Sequence, residues 1–557
     1  MSEQKHLINR EVLELTVSDR QRAEFIHQKI SQMIEKKLNP ALDQLFTSVA
    51  TKNETIRIDE LVLDLGVVSE SELQQAIVEL TIREALEKIS KLIKANRDVV
   101  MQKVEKNKRR VSSVKLVSAK DEILEQFVYF LATGHFPWWS RQTGSNQLNE
   151  LFAQVLELSA KSLNRILVPE LRNPNVRKRL IFQFREDQIE ALLRRIDGRK
   201  YRKIEELSLI LFLNVASKKF KKVIANYYDE LLLLYFAYGI SLNSQSKKAG
   251  LLKHIIEEGL NRVSSHEGEA VLVGILERIL YSSQSGKTEG CLKRAVVEVV
   301  AERMLTRKSD LDSPKIANDE TQFVEQYLVD WFLEKRKKIS VKDIARLKLI
   351  MTYSRHSKSN DQLQDAEPEF FISLKKEAKE TEKIESISLA DEEIHVGNAG
   401  LVLLHPFLSV LFRGLNLLDD EQQFKSRTHA CKAVHILQYL VADQLITAEY
   451  ELALNKILCG LDVAEPIPNS GDLSASEQDE CLHLIKTVLE RWSALKTENP
   501  KALQENYLCR KGILRKTGAG WTLIVERNTI DVMLDRLPWA ISIVKFPWTE
   551  QILHVEW

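Results

Sequence analysis

The amino-terminal block opens with the alternation of apolar and polar residues that is typical of β-strands. Residues 10–17 repeat with a period of two, and residues 54–66 do so with one slip. Gly66 follows the second run and should end it, because glycine is a strong breaker of regular structure. The pattern therefore predicts two strands that are separated by a stretch of different periodicity.

Helical patterns complete this block. Residues 25–34 carry apolar side chains at steps of three and four, which is the period of an amphipathic helix. Asn39-Pro40 should interrupt that helix, since proline has no N–H to donate within a helix. A second apolar stripe runs through residues 69–94. We expect the order strand, helix, strand, helix over residues 1–98.

The centre of the chain is predicted to be helical. Residues 99–120 carry seven basic residues and one acidic residue without regular periodicity, which predicts a linker or a fraying helix. Residues 121–306 follow as consecutive amphipathic helices with short breaks, and no strand pattern competes there. A helical segment over 307–353 follows a polar gap. A second polar stretch, 354–393, predicts another linker.

The last block, residues 394–557, begins with helices. Apolar stripes predict them around residues 399–404, 407–412, 428–441, 450–458 and 476–495. Ser476 is a candidate N-cap of the last of these, since serine at that position can accept the first free N–H groups.

Strands are predicted to close this block. Residues 512–527 alternate on both sides of Gly518-Ala519-Gly520, which is a hairpin signal. A further strand is expected between Pro538-Trp539 and Pro547-Trp548. The fold class predicted for the whole chain is mainly α, with smaller α+β blocks at the two ends and amphipathic helical bundles in the middle.

Length and composition set the scale of this architecture. A chain of 557 residues suggests three or four units. Apolar residues make up 44% and charged residues 29%, which is close to the average of a soluble globular protein and excludes a largely disordered chain. The formal net charge is only +1, so no global field attracts nucleic acid or membrane. Any electrostatic partner must be met locally.

Compartment signals favour the cytoplasm. The five cysteines are odd in number, lie in the second half of the chain and have no paired spacing, which favours reduced thiols. The first residues have no apolar core behind a basic head, so we expect no secretory signal. The longest apolar stretches, 231–242 and 399–412, are shorter than the roughly 18 residues of a spanning helix. We therefore predict no membrane span.

Motifs for chemistry are incomplete. Gly286-Lys287-Thr288 resembles the end of a phosphate-binding loop, but Tyr281 stands where that loop needs its first glycine. His266-Glu267 begins like a zinc-protease helix without the second histidine. Cys431 and His435 can share a helix face, yet they do not assemble into a set of four ligands. We predict no catalytic residue, no cofactor and no bound metal.

Basic and aromatic clusters remain as candidate surfaces. The basic stretches 103–110, 218–222 and 335–338 border apolar runs and lack interleaved aromatics, so solvated helix faces are favoured over nucleic-acid binding. Tryptophans next to prolines are expected to pack in the core, but would mark a partner surface where exposed. The candidate interaction or packing residues are Trp138, Trp139, His405, Pro406, Trp521, Pro538, Trp539, Pro547, Trp548 and Trp557.

Several segments together carry a family resemblance. They are INREVLELTV, RIDELVLDLG, GHFPWW, NAGLVLLHPFLSVLFRGLNLLDD, VHILQYL, ELALNKILCGL and DRLPWAISIVKFPWTEQILHVEW. With these segments the chain resembles the tape measure proteins of bacterial extracellular contractile injection systems, which are phage-tail-like particles. Residues 394–557 carry the most specific part of the resemblance, and residues 140–393 are generic.

The resemblance implies a non-enzymatic component that sets the length of the inner tube during particle assembly. It also implies tube, baseplate or spike proteins as partners. Self-association of the chain is a further option, because an extended chain would have to bury its apolar stripes elsewhere. It places the protein in the cytoplasm during assembly and then inside the particle. A compact helical adaptor or chaperone for baseplate assembly or cargo loading remains the alternative, and an enzyme in the middle region is a weaker one.

Overall fold

The computed structural model describes most of the chain outside a central stretch. The described residues are 6–16, 30, 32–49, 54–58, 60–68, 73–102, 114–140, 146–215, 217–237, 245–261, scattered positions from 263 to 299, 393–469, 473–518 and 520–557. The chain divides into two compact units. Unit 1 consists of Met1–Phe127 and Phe136–Leu158, and unit 2 consists of Val128–His135 and Ser159–Trp557. The fold is mostly α with a small sheet near the carboxy terminus, which confirms the predicted class.

Unit 1 is built on two helices, α1 (Asn39–Val49) and α2 (Leu73–Gln102). Their apolar stripes form its core, which contains Ile30, Met33, Leu38, Leu42, Leu45, Ile77, Ala85, Ile89 and Ile93. A π-helical turn, Ile34–Leu38, leads into α1. The N–H of Asn39 reaches back to the carbonyl of Ile34, so the chain passes Pro40 through a wider turn instead of breaking.

The strands of unit 1 differ from the sequence prediction. Strand β1 (Glu54–Ile58) pairs antiparallel with β2 (Val114–Ser118). Since β2 lies within the stretch predicted as the linker 99–120, and α2 runs to Gln102, that stretch contains regular structure at both ends. The alternation in Val114-Lys115-Leu116 is too short to stand out among the basic residues around it.

Two other strand-like segments of unit 1 have no partner strand in the described part of the chain. Residues 10–16, the described part of the strand predicted over 10–17, form no ladder, and neither do residues 60–68. Leu61, Leu63 and Leu65 still pack on the core of unit 1, so the period of two reflects burial on one side. A period of two is not enough for a strand, because a strand also needs a neighbour for its backbone N–H and C=O groups.

A series of helices follows β2 over residues 119–261. They are α3 (Ala119–Thr133), α4 (Gln147–Leu156), α5 (Ala160–Glu170), α6 (Pro174–Gln183), α7 (Glu186–Asn214), α8 (Lys218–Ala237) and α9 (Gln245–Asn261). Helix α4 belongs to unit 1, and α5 to α9 belong to unit 2. No strand lies between 119 and 261 in the described residues, as predicted. The predicted helical segment 307–353 and all but the last residue of the predicted polar stretch 354–393 lie outside the described residues.

The carboxy-terminal block of unit 2 places helices around a five-stranded sheet. Its α-helices in the described residues are α10 (His405–Gly414), α11 (Arg427–Ala442), α12 (Ala453–Leu458), α13 (Ala475–Arg491) and α14 (Pro500–Leu503). Its strands are β3 (Glu393–Val396), β4 (Gly512–Thr517), β5 (Gly520–Val525), β6 (Ile543–Val544) and β7 (Ile552–Glu556). The strand order is β3-β4-β5-β7-β6.

The sheet confirms the hairpin and corrects two details of the prediction. β4 and β5 pair antiparallel across the glycine-rich turn. The strand expected between the two Pro-Trp pairs is only the short β6, whereas the longer β7 follows the second pair and runs parallel to β5.

The N-cap of α13 is Ser474 instead of Ser476, because Ser474 and Glu477 form a capping box.

None of the helices in the described part of the chain combines the length and the apolarity that crossing a membrane requires. The apolar stretch at 399–412 instead contains a 3₁₀ turn, Ala399–Leu404, followed by the start of α10. Leu401 and Leu404 are fully buried in the core of the carboxy-terminal block. This stretch is therefore a core segment.

One glycine sets how closely that turn approaches a neighbouring backbone. A Cβ atom at Gly400 would lie 1.7 Å from the carbonyl oxygen of Tyr507. The 3₁₀ turn therefore rests directly on the backbone of the π-helical turn Gln504–Leu508. Any larger residue at position 400 would push the two segments apart.

We therefore expect Gly400→Ala to lower the free energy of unfolding of the carboxy-terminal block by about 2 to 4 kcal/mol, because backbone must move on both sides. Urea unfolding followed by tryptophan fluorescence measures this change. Gly397→Ala is the matched control, since a Cβ there meets no atom within 4 Å. Equal losses in the two variants would contradict the close approach.

Candidate functional site

The aromatic residues predicted as landmarks in unit 1 are packed against its other side chains. Trp138 and Trp139 are half-buried. The Arg57 guanidinium lies 3.5 Å from the centre of the Trp139 ring, and its Nη1 donates to Glu125 Oε2 at 2.8 Å. A cation held over an indole in this way is a stabilising contact. Arg57 therefore links β1 both to Glu125 on α3 and to Trp139 within this unit.

Two tryptophans of the carboxy-terminal block, Trp539 and Trp548, donate hydrogen bonds inward. Trp548 is buried, and its Nε1 donates to the carbonyl of Leu458 at 2.9 Å. Its ring stacks on Phe546 with centroids 4.7 Å apart. Trp539 is half-buried and donates to the carbonyl of Leu403 at 3.0 Å. Both indoles tie the sheet region to the helices that pack on it.

The other predicted residues are distributed between core and surface. Trp521 on β5 is buried. Trp557 is half-buried and donates to Asp531 Oδ2 at 3.1 Å. His405 is half-buried at the start of α10, and burial lowers its pKa. The exposed members of the set are Pro406, Pro538 and Pro547. The structure thus brings these residues to several places instead of one.

A cluster of buried charges lies in unit 2, and sequence analysis did not single it out. We call it the ionic cluster; it consists of Arg179 on α6, Glu449 in the 3₁₀ turn Glu449–Glu451 and Lys456 on α12. All three side chains are at most 1% exposed. Arg179 Nε and Nη2 donate to the two carboxylate oxygens of Glu449, each at 3.0 Å. Lys456 Nζ donates to Glu449 Oε1 at 2.5 Å.

Backbone carbonyls accept the remaining hydrogen bonds of the two cations. Arg179 Nη2 donates to Ala464 at 2.7 Å, and its Nη1 donates to Leu131. Lys456 Nζ donates to the carbonyls of Val463 and Glu465, both at 2.8 Å. Buried charges cost several kcal/mol each unless they are paired and hydrogen-bonded. Both cations of the ionic cluster are paired with Glu449 and are hydrogen-bonded.

Gly134 gives the ionic cluster its space. It ends α3 with a φ of 85°, and its N–H donates to the Phe130 carbonyl at 2.8 Å, which is a left-handed helix cap. A Cβ atom on Gly134 would lie 2.7 Å from Glu449 Oε1 and 3.1 Å from Arg179 Nη2. The same glycine therefore ends the helix and makes room for the charges.

Gln183 adds a second polar bridge beside the ionic cluster. Its Nε2 donates to the carbonyl of Ile467 at 2.8 Å, and its Oε1 accepts from the N–H of Glu449 at 3.0 Å. Since Arg179 and Gln183 are four residues apart on α6, both face the carboxy-terminal block. One helix face therefore holds that block through charged and neutral hydrogen bonds.

The charges of the ionic cluster do not balance. Two cations meet one carboxylate, so the cluster carries a net positive charge when all three groups are ionised. Burial lowers the pKa of Lys456 to about 8, and the attraction of Glu449 opposes this shift only in part. Release of the Lys456 proton would leave a neutral Arg179–Glu449 pair.

A neutral polar network supports the same block. Asn398 Nδ2 donates to Gln438 Oε1 at 3.0 Å and to Asn455 Oδ1 at 2.7 Å. Asn455 Nδ2 donates to the carbonyl of Val434 at 3.0 Å. Asn455 immediately precedes Lys456 on α12, so this short helix has polar contacts on two of its faces.

The remaining candidate chemistry gives no second site in the described residues. No group of three His, Cys, Asp or Glu side chains in that part of the chain could hold a metal ion. Burial raises the pKa of the Cys431 thiol and lowers that of His435. The motifs at 266–267 and 286–288, and the basic stretches 103–110 and 335–338, lie outside the described residues. In the remaining basic stretch, Lys218 and Lys219 are exposed and Phe220 is buried.

Sequence patterns had little power to reveal the ionic cluster. Arg179 and Glu449 are separated by 270 positions, and each lies in an ordinary amphipathic context. The available signal in the sequence is Gly134, since glycine commonly ends a helix. Its second role depends on side chains that come from elsewhere in the chain.

Comparison with known proteins identifies a family that the chain matches. The chain matches the family model described as contractile injection system tape measure protein over residues 5–557. No curated protein and no solved structure matches the chain. The family match includes all three residues of the ionic cluster.

The charge imbalance of the ionic cluster predicts a pH dependence of stability. The folded chain releases the Lys456 proton near pH 8, whereas the unfolded chain keeps it to about 10.5, so the unfolded chain binds more protons between these values. The contribution of Lys456 to the free energy of unfolding should therefore increase with pH in this window, by at most about 1.4 kcal/mol per pH unit.

Urea unfolding of Lys456→Met and of the unchanged protein between pH 7.5 and 9.5 measures that contribution as a difference. Methionine keeps a similar volume and leaves the Arg179–Glu449 pair, so the variant should lack this increase. Lys486→Met on the exposed side of α13 is the control. Parallel pH profiles of Lys456→Met and the unchanged protein would contradict the prediction.

Proposed function

Because the chain belongs to the contractile injection system tape measure protein family, we propose that it is a non-enzymatic assembly component that sets the length of the inner tube of the particle. The observation that carries this proposal is the family match over residues 5–557. The mostly helical fold supports it, since helices convert a number of residues into a length. At a rise of about 1.5 Å per residue, a fully helical chain of this size would span on the order of 800 Å.

The proposal requires the chain to change its packing. Amphipathic helices in water fold against each other, because each Å² of apolar surface left exposed costs about 25 cal/mol. The buried stripes of α5 to α9 show this compact arrangement. An extended ruler must therefore bury those stripes elsewhere, against further copies of the chain or against the tube wall.

The proposed partners follow from the same assignment. They are the tube, baseplate or spike proteins of the particle, and self-association of the chain accompanies extension. The protein works in the bacterial cytoplasm during assembly and is then enclosed in the particle. The carboxy-terminal block, with its dense core and sheet, is suited to be a docking head.

A compact adaptor or chaperone that serves baseplate assembly or cargo loading is the second candidate function. The well-packed carboxy-terminal block favours it, because such a block would dock without extension. An adaptor would be present in proportion to baseplates whatever the length of the tube. Its hydrodynamic size would also remain that of a folded protein.

The ruler is tested by changing the length of the chain. We expect a 28-residue helical segment inserted in frame between Asn243 and Ser244 to lengthen the tubes by up to about 42 Å. The lengthening follows if each helical residue adds its rise to the span. Electron microscopy of purified particles measures the distribution of tube lengths.

The same 28 residues appended after Trp557 are the control, since they add mass without adding to the span between the ends. Tubes of unchanged length with the internal insertion would reject the ruler and leave the adaptor. Lengthening by both changes would show that added mass, and not the span, determines the length.

A further inference from the structure

The ionic cluster joins parts of the chain that are far apart in sequence. Arg179 and Glu449 lie 270 positions apart, yet two hydrogen bonds of 3.0 Å connect their side chains. Since both groups belong to one compact unit, the intervening residues 180–448 form a closed loop whose two ends meet at the ionic cluster. While this contact holds, those residues cannot add to the distance between the chain ends.

The contact has the properties of an all-or-none interaction. Its side chains are at most 1% exposed, so no water solvates a charge that loses its partner inside the fold. Removing one partner of a buried ion pair is strongly destabilising, because the other charge stays buried without compensation. Partial opening is therefore unfavourable, and the charges either stay paired or become solvated together.

Neighbouring contacts join the same segments of the chain. Gln183 bridges α6 to Ile467 and Glu449 by two hydrogen bonds. The rings of Phe130 and Tyr450 meet edge to face, with centroids 6.5 Å apart. The end of α3, the face of α6 and the segment 449–467 thus meet around the ionic cluster as one interface.

We propose that the ionic cluster is a conformational latch that holds the helical segment and the carboxy-terminal block together and keeps residues 180–448 as a closed loop. The latch itself rests on the contacts described here. Its consequence, that the latch must open before the chain works as an extended ruler, rests on the proposed function. The free protein is then the closed form, and the ruler is the open form.

The latch is tested by cutting the loop that it closes. A protease recognition site inserted between Asn243 and Ser244 of the full-length chain allows cleavage after purification. Because the latch connects the two sides of the cut, we expect the fragments to elute together in size-exclusion chromatography at physiological salt. Separate elution of the fragments of the otherwise unchanged chain would overturn the proposal.

Glu449→Gln removes the carboxylate that holds both cations. In the cleaved protein we expect it to weaken the association of the fragments by at least about 100-fold, since two cations would remain buried without an anion. Glu490→Gln, on the exposed side of α13, is the matched control and should behave as the unchanged chain. Equal association of both variants would overturn the latch.

Gly134→Ala provides an independent variant in case Glu449→Gln does not fold. It keeps every charge but places a Cβ atom 2.7 Å from Glu449 Oε1 at a positive φ. We expect weakened association of its fragments while circular dichroism of the uncut protein shows unchanged helicity. Association as tight as in the unchanged chain would overturn the latch.

These measurements separate the latch from the ruler. Fragment association is read on purified protein and does not depend on tube length. Fragments that stay together only with Glu449 intact, combined with tubes of unchanged length after insertion, would support the latch and reject the ruler. Lengthened tubes with fragments that never associate would support the ruler and reject the latch.

Discussion

The structure of unit 2 depends on the burial of three charged side chains away from water. Arg179, Glu449 and Lys456 can be buried together because each cation meets the same carboxylate and because backbone carbonyls accept their remaining hydrogen bonds. This requirement fixes more than the three side chains. It needs a glycine at position 134 and the backbone of 463–465 at a defined distance. The position of α6 on the carboxy-terminal block is therefore set by polar geometry, while apolar burial supplies most of the favourable free energy.

A chain that acts as the proposed ruler must reconcile compact folding with extension. Apolar stripes favour the compact form in proportion to the area they bury. Many alternative packings can bury a similar area and therefore gain a similar free energy. A buried ionic contact differs, because it is satisfied in one arrangement only. In the proposed latch, the apolar core therefore stabilises the closed form, and the ionic cluster restricts that form to one arrangement. A partner that opens the proposed latch would have to offer new apolar surface and expose the charges to water.

Sequence patterns predicted the parts of this fold that depend on local periodicity. The helices from Ala119 to Asn261 and the β4–β5 hairpin follow from apolar spacing and turn residues alone. The parallel strand β7 was missed, since its partner β5 is supplied by a non-local contact. The ionic cluster was missed for the same reason, because no local pattern joins residue 179 to residue 449. The candidate tryptophans were visible, but only the structure shows that Trp539 and Trp548 donate inward.

The location of the ionic cluster also bears on how the chain assembles. Helices α5 to α9 can form from local contacts, but the ionic cluster cannot close until residues 449–456 have been made and folded. Arg179 then stays solvated during synthesis of the intervening residues, which costs little because a solvated arginine needs no partner. Closing the cluster afterwards requires the loss of loop entropy and the desolvation of three charges. An assembly partner that binds the helical segment before this late step would meet the chain while it is still open, without having to break the ionic contact.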